Sequence, residues 1–187
     1  LPKPFEVRLR LVAFKHKLRN TRVMVLRQLG ELVVDGERLS LEKGVEIEIP
    51  LWLATLFTEK EYTNMVEQPI TIEDIARVHF STVSARTPAD LEPLPKGFYL
   101  EALRYIESLD RQIRREFNAM LLEERQKATQ YLLEIIDKRL LLILQSMRSP
   151  TSLAEISSKL TEEESILLEE LRDDIESWRK ALAPPNL

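Results

Sequence analysis

The chain has 187 residues, ten prolines, four glycines, two histidines, no cysteine and a formal net charge of -4. A chain of this length buries roughly 70% of its unfolded surface without a metal or disulfide staple, and the missing cysteine excludes disulfide frameworks, thiolate metal sites and cysteine nucleophiles. The most apolar stretches, Ile49 to Phe57 and Leu140 to Leu144, fall far short of the roughly 20 residues of a membrane span, and the N-terminus does not read as a signal peptide, so a cytoplasmic protein without membrane association is expected.

Residues 1–50 hold ten Lys/Arg against seven Asp/Glu, a balance of +3 that leaves -7 for the remainder. Along this basic segment the apolar pattern has a period near two. Val7, Leu9 and Leu11 alternate with Arg8 and Arg10; Val23 and Val25 follow; Val45, Ile47 and Ile49 alternate with Glu46 and Glu48. Such alternation predicts half-buried strands. Asp35-Gly36, between Leu32-Val33-Val34 and Leu39-Ser40-Leu41, supplies the positive φ angles of a two-residue hairpin.

After Pro50 the period changes to 3.6, which places a domain boundary near residue 50. Leu51 to Tyr62 reads as a helix with proline at its start. A second helix opens at Thr71, with Asp74 at the capping-box spacing, and ends before Pro88. The stretch from Arg86 to Gly97, with Pro88, Pro93 and Pro95, reads as a loop. From Phe98 almost to Met147 neither proline nor glycine occurs; the run is too long for one ordinary helix, and the apolar stripe lapses at Glu123 to Lys127, where a break is expected. Leu140 to Leu144 is apolar nearly all round, which predicts a bundle centre or a helix shared with another subunit. Ser149-Pro150 ends that helix, Ser152 to Glu155 caps a short turn, and Thr161 with Glu164 opens a last helix carrying Leu167, Leu168, Leu171, Ile175, Trp178 and Leu182, which Pro184-Pro185 closes. The reading is therefore α+β: a small β-rich domain over residues 1–50 and a mainly α-helical bundle domain over 51–187.

Chemistry-bearing motifs are absent. There is no glycine-rich phosphate loop, the only histidines, His16 and His79, lack metal-ligand spacing, and Asp74 and His79, five apart, fall on different helix faces. No catalytic residue, cofactor or metal is expected, so the chain reads as a non-enzyme; an enzyme would require carboxylates brought together only by the fold. The segment from Lys15 through Lys17, Arg19 and Arg22, with Arg8, Arg10 and Arg27 nearby in sequence, offers cations for phosphates, but Phe14 is the only aromatic beside it, which points to weak DNA contact without sequence readout.

The run Gly44-Val45-Glu46-Ile47-Glu48-Ile49-Pro50-Leu51-Trp52-Leu53-Ala54 resembles the junction of the small and helical domains in archaeal GINS subunits of the type with the β domain first. Phe98-Tyr99 at the start of a long helix, Lys138-Arg139 before an apolar helix end at Leu144, and Leu160 to Glu164 opening a final helix are similar and come in the same order. The resemblance implies a hetero-tetramer with a GINS-like subunit of opposite domain order. It implies a role in DNA replication as a bridge between the MCM helicase and a RecJ-like replisome protein. On this reading Trp52, Phe98, Tyr99, Leu140, Leu141, Leu144, Leu171 and Trp178 belong to the core or the subunit interface of the helical domain. The competing reading is a stand-alone nucleic-acid-binding module that uses the basic N-terminal β domain.

Overall fold

The computed structural model describes residues 4–28, 30–34, 36–66 and 70–182, with the backbone alone for Pro4 and Glu37. The architecture is α+β: a small antiparallel sheet region at residues 20–65 precedes a mostly helical part. The chain divides into two compact units, Leu11–Pro69 and Leu1–Arg10 with Ile70–Leu187. The division falls after Pro69, so the first helix beyond Pro50 belongs with the sheet, and the first ten residues belong with the helices.

The opening segment is a helix, α1 (Pro4–Leu18), not a strand. Val7-Leu9-Leu11 alternates over too few residues to separate the two periods, whereas Val7, Leu11, Phe14 and Leu18 recur at spacings of four, three and four, which is helical. The sheet unit then contains β1 (Asn20–Val25), β2 (Gly30–Val34), β3 (Glu37–Leu41), β4 (Glu46–Pro50), α2 (Leu51–Glu59) and β5 (Thr63–Met65). One sheet has the order β4-β1-β5, antiparallel throughout; β2 and β3 form a separate hairpin. Its register pairs Val34 with Glu37, leaving two residues for the turn, and Gly36 takes φ 87° there, a conformation only glycine adopts without strain. Asp35, the other expected turn residue, lies outside the described residues. Val23 and Ile49 from the sheet pack on Leu53 and Ala54 of α2, with Leu32, Val34, Leu39, Ile47, Phe57 and Met65 around them. Strand β5 has no counterpart in the sequence reading, which carried the helix through to Tyr62.

The helical unit contains α3 (Ile72–Ser84), a short 3-10 turn (Pro88–Asp90), α4 (Phe98–Arg115), α5 (Ala119–Ser146), α6 (Pro150–Ser157) and α7 (Glu162–Leu182). The break between α4 and α5 falls at residues 116–118, ahead of the expected Glu123 to Lys127. Asn118 decides its position, because its side-chain oxygen accepts the Met120 N–H at 2.9 Å and caps α5; the polar stretch at 123–127 is merely a solvated face of a continuous helix. Gly97, at φ 73°, turns the chain into α4. Helix α5 is the common wall. Its Ala128, Leu132 and Ile135 pack with Ile75 of α3 and Phe98, Ala102 and Ile106 of α4. Further along, Leu142 and Ile143 pack with Ala85, Leu91, Ile156 of α6 and Leu168 of α7.

The capping box at the start of α3 is formed in full. The Thr71 hydroxyl accepts the Asp74 N–H at 3.3 Å, and the Asp74 carboxylate accepts the Thr71 N–H at 3.1 Å and its hydroxyl at 2.9 Å. These bonds, the backbone one first, hold the Asp74 carboxyl below its ordinary 3.8. A carboxylate with a depressed folded value stabilises the fold above its unfolded value and loses that contribution as pH falls through the folded one. Thr71→Ala is expected to cost about 1 kcal/mol at neutral pH. The deficit against the parent should shrink as pH is lowered below about 4, which urea unfolding at a series of pH values checks.

Candidate assembly face of the helical unit

An apolar helix on a surface is the feature that most needs a physical account. One side of α5 supplies the two cores described above. The opposite side carries Leu133, Leu141 and Leu144, all exposed, Leu133 the most at 55%, and Ile136, also exposed, lies on the flank between that side and the core. Phe80 and Val83 on α3 and Leu103 on α4 are exposed as well.

Ile136 and Leu103 belong to the lining of a groove of about 390 Å³. Helix α5 forms its floor with Leu132, Ile136, Leu140 and Ile143; Phe5 and Leu9 of α1, Tyr99, Leu100 and Leu103 of α4, and Leu167 of α7 complete its apolar walls. Arg139, Glu163 and Glu164 are its charged lining residues. Such a groove takes apolar side chains and offers little to a polar substrate.

Around the Arg139 guanidinium the helical unit closes a polar network. Arg139 is 1% exposed and Glu164 5%. The Arg139 Nε donates to Glu164 Oε1, and Nη2 donates to Glu164 Oε2 at 2.9 Å, a bidentate ion pair. Nη1 donates to the Glu92 carbonyl at 2.9 Å and Nη2 also to the Lys159 carbonyl at 3.1 Å. The Glu164 carboxylate accepts in addition the Tyr99 hydroxyl at 2.6 Å and the Thr161 N–H at 2.9 Å, while the Thr161 hydroxyl accepts the Glu164 N–H at 3.3 Å. Thus the expected capping box opens α7, and its glutamate serves the buried arginine too. Burial, and then the Glu164 carboxylate, push the ionisation of Tyr99 above the ordinary phenol range, so Tyr99 remains a neutral donor. Sequence reasoning named Tyr99, Arg139 and Glu164 without joining them. The available signal was the Asp137-Lys138-Arg139 charged group set between Ile135-Ile136 and Leu140 to Leu144.

His79 binds α3 to α5: its Nε2 meets the Glu134 carboxylate, and its ring stacks on Tyr131 with centroids 4.5 Å apart. Gln130 donates to the other Glu134 oxygen at 2.8 Å. Hydrogen bonds from Gln130 and then His79 lower the Glu134 carboxyl. Among the described residues no group of three or more His, Asp or Glu side chains is arranged to hold a metal ion, and no helix is long and apolar enough to cross a membrane.

The residues singled out from the sequence divide among several environments. Phe98 is fully buried in the α3-α4-α5 core, Tyr99 joins the ion-pair network, Leu140 lines the groove, and Leu141 and Leu144 are exposed on α5. Leu171 is half-buried and Trp178 is 65% exposed on α7. Trp52, expected as a core or interface aromatic of the helical domain, belongs to the sheet unit and is 48% exposed, because Leu51, Leu53 and Ala54 are the residues α2 buries. The cations do not form one strip on a strand. On α1 Arg8 and Arg10 point about 200° apart, and Arg8 is engaged by Glu169 and Glu170. Arg27 pairs with Glu61 at 3.5 Å and Arg19 is half-buried. Arg10, Lys15 and Lys17 on α1 and Arg22 on β1 are exposed.

No protein-family model matches this sequence, and no curated protein matches it either.

Proposed function

We propose that this chain is a non-enzymatic subunit of a GINS-like DNA-replication scaffold, acting in the cytoplasm of an archaeal cell at the nucleoid. The observation that carries the proposal is the uncovered apolar side of α5 and its adjoining groove, since exposed leucines in such number on a central helix are stabilised by burial against a partner. The order of the motifs supports the same reading: a strand ending in Pro50 that feeds Leu-Trp-Leu-Ala, Phe98-Tyr99 opening α4, Arg139 on α5 and Thr161 to Glu164 opening α7.

On this proposal α5 packs against a GINS-like subunit of opposite domain order to give a hetero-tetramer with two copies of each chain. The sheet unit, with its basic residues, then selects partners, the MCM helicase and a RecJ-like protein. Its mechanism is positional: the subunit stimulates the helicase by holding components together and performs no chemistry. Light scattering on the chain alone and mixed with a subunit of opposite domain order tests this. A hetero-tetramer formed only on mixing is the expected result, and indifference of the two chains to each other would sink the proposal.

Exposure of Lys15, Lys17 and Arg22 favours a subsidiary DNA contact. The triple change Lys15→Glu, Lys17→Glu and Arg22→Glu is expected to weaken binding of single-stranded DNA at least tenfold at low salt, about one counterion per lost cation, while the mass of the mixed complex stays the same.

A further inference from the structure

The buried residues of helix α7, Glu164, Ile166 and Leu168, all lie in its first half. Its apolar stripe continues past them. Leu171, Ile175, Trp178 and Leu182 follow at spacings of four, three and four, the repeat that keeps a seam on one side of a supercoiled helix. Leu171 and Ile175 are half-buried, while Trp178 and Leu182 are 65% and 66% exposed.

The spacing assigns Leu171 and Trp178 to heptad position d, and Ile175 and Leu182 to position a. Leu171 at d with Ile175 at a is the pairing that two parallel strands prefer, while the second heptad holds Trp178 at d and Leu182 at a. In a parallel pair, position g of one helix faces position e of the other, five residues further along. Here those positions hold Asp174 and Arg179, opposite charges that a two-fold axis brings together twice. An antiparallel pair would set Arg172 and Arg179 at e against the same positions of the other copy. Within one helix Asp174 and Arg179 lie about 140° apart and cannot meet; the ion pair this segment does make in cis, Lys180 to Glu176 at 2.7 Å, occupies the outer b and f positions.

We propose that the exposed half of α7 binds the same segment of a second copy of this chain as a short parallel two-stranded coiled coil, with Asp174 of each copy facing Arg179 of the other. The choice of occupant rests on charge complementarity: this surface is self-complementary in the parallel sense and self-repelling in the antiparallel one. Two heptads make a weak contact by themselves, strengthened wherever another interface holds two copies near each other. The inference does not depend on the replication reading.

The chain has no cysteine, so single cysteines introduced into the full chain report the pairing directly. Like positions meet at a parallel seam, and Trp178→Cys and Leu182→Cys are each expected to form a symmetric disulfide under mild oxidation, whereas Glu176→Cys on the outer side is not. In the Leu182→Cys background, Asp174→Arg should lower the cross-linking yield on the order of tenfold, Arg179→Asp should do likewise, and the two together should restore it. Circular dichroism confirms that each variant folds. Equal yields from Glu176→Cys, yields indifferent to the charge reversals, or linkage of Leu182→Cys only to a different added subunit would each overturn the proposal.

Discussion

Replacing Arg139 by alanine is expected to lower the free energy of unfolding by about 3–5 kcal/mol, one of the two largest effects foreseen for this chain. The substitution leaves the Glu164 carboxylate buried without its main counter-charge, and leaves the Glu92 and Lys159 carbonyls without their donor. Glu164→Ala is expected to be comparably severe, because it strands the guanidinium and also removes the carboxylate half of the capping box of α7. The paired change Arg139→Met with Glu164→Leu should cost much less than the sum of the single losses, since no lone charge is then buried. A double-mutant cycle closed with the single changes Arg139→Met and Glu164→Leu, followed by denaturant unfolding through far-UV circular dichroism, should return a coupling of about 2–3 kcal/mol. Additive losses would mean that the two side chains act independently and that the geometry of the pair contributes nothing specific.

The second large effect concerns assembly and leaves stability alone. Leu141→Glu combined with Leu144→Glu places two carboxylates on the exposed side of α5. In the isolated chain these residues meet water, and the change should stay within about 0.5 kcal/mol per site. In a complex that buries this side, each carboxylate would be desolvated without a partner at a cost of several kcal/mol. Binding of the opposite-order subunit is expected to weaken by two or more orders of magnitude, measured by light scattering across a concentration series. Ser158→Glu, at an exposed position following α6, serves as the control. A doubly substituted chain that still enters the mixed complex at parent affinity would remove α5 from the interface and take with it the observation on which the proposed function stands.

Helix and strand positions were legible where local chemistry left one solution. Thr71 with Asp74 and Thr161 with Glu164 marked the helix starts, and Val23, Val25, Ile47 and Ile49 alternated into strands. The pattern failed at α1, where three alternating apolar residues fit either period and the longer helical spacing through Leu18 was the better guide. It also misplaced the α4-α5 break, because a single asparagine cap outweighed a lapse in the stripe. Of the candidate assembly face, the all-round apolar character of Leu140 to Leu144 was plain, and it predicted either a bundle centre, which α5 is, or a helix shared with another subunit. Which leucines would be left uncovered was not, since that depends on where α3, α4 and α7 dock. The Arg139 to Glu164 pair joins residues 25 apart in sequence through a contact that no local pattern encodes.

Arg139 also limits the ways in which α5 can be misplaced. A shift of one turn, about 5.4 Å, would keep an apolar residue at some contacts, Ile136 for Leu132 and Met147 for Ile143, but would set Leu132 in the place of Ala128 and Ser146 in the place of Leu142. The guanidinium accepts no such exchange, because only one setting offers it the Glu164 carboxylate together with the carbonyls of Glu92 and Lys159. Any slipped setting buries a charge without partners, at several kcal/mol. The arginine therefore works as a detent added to the fit of the side chains, and in the variant with methionine and leucine in place of the pair α5 should be held by that fit alone.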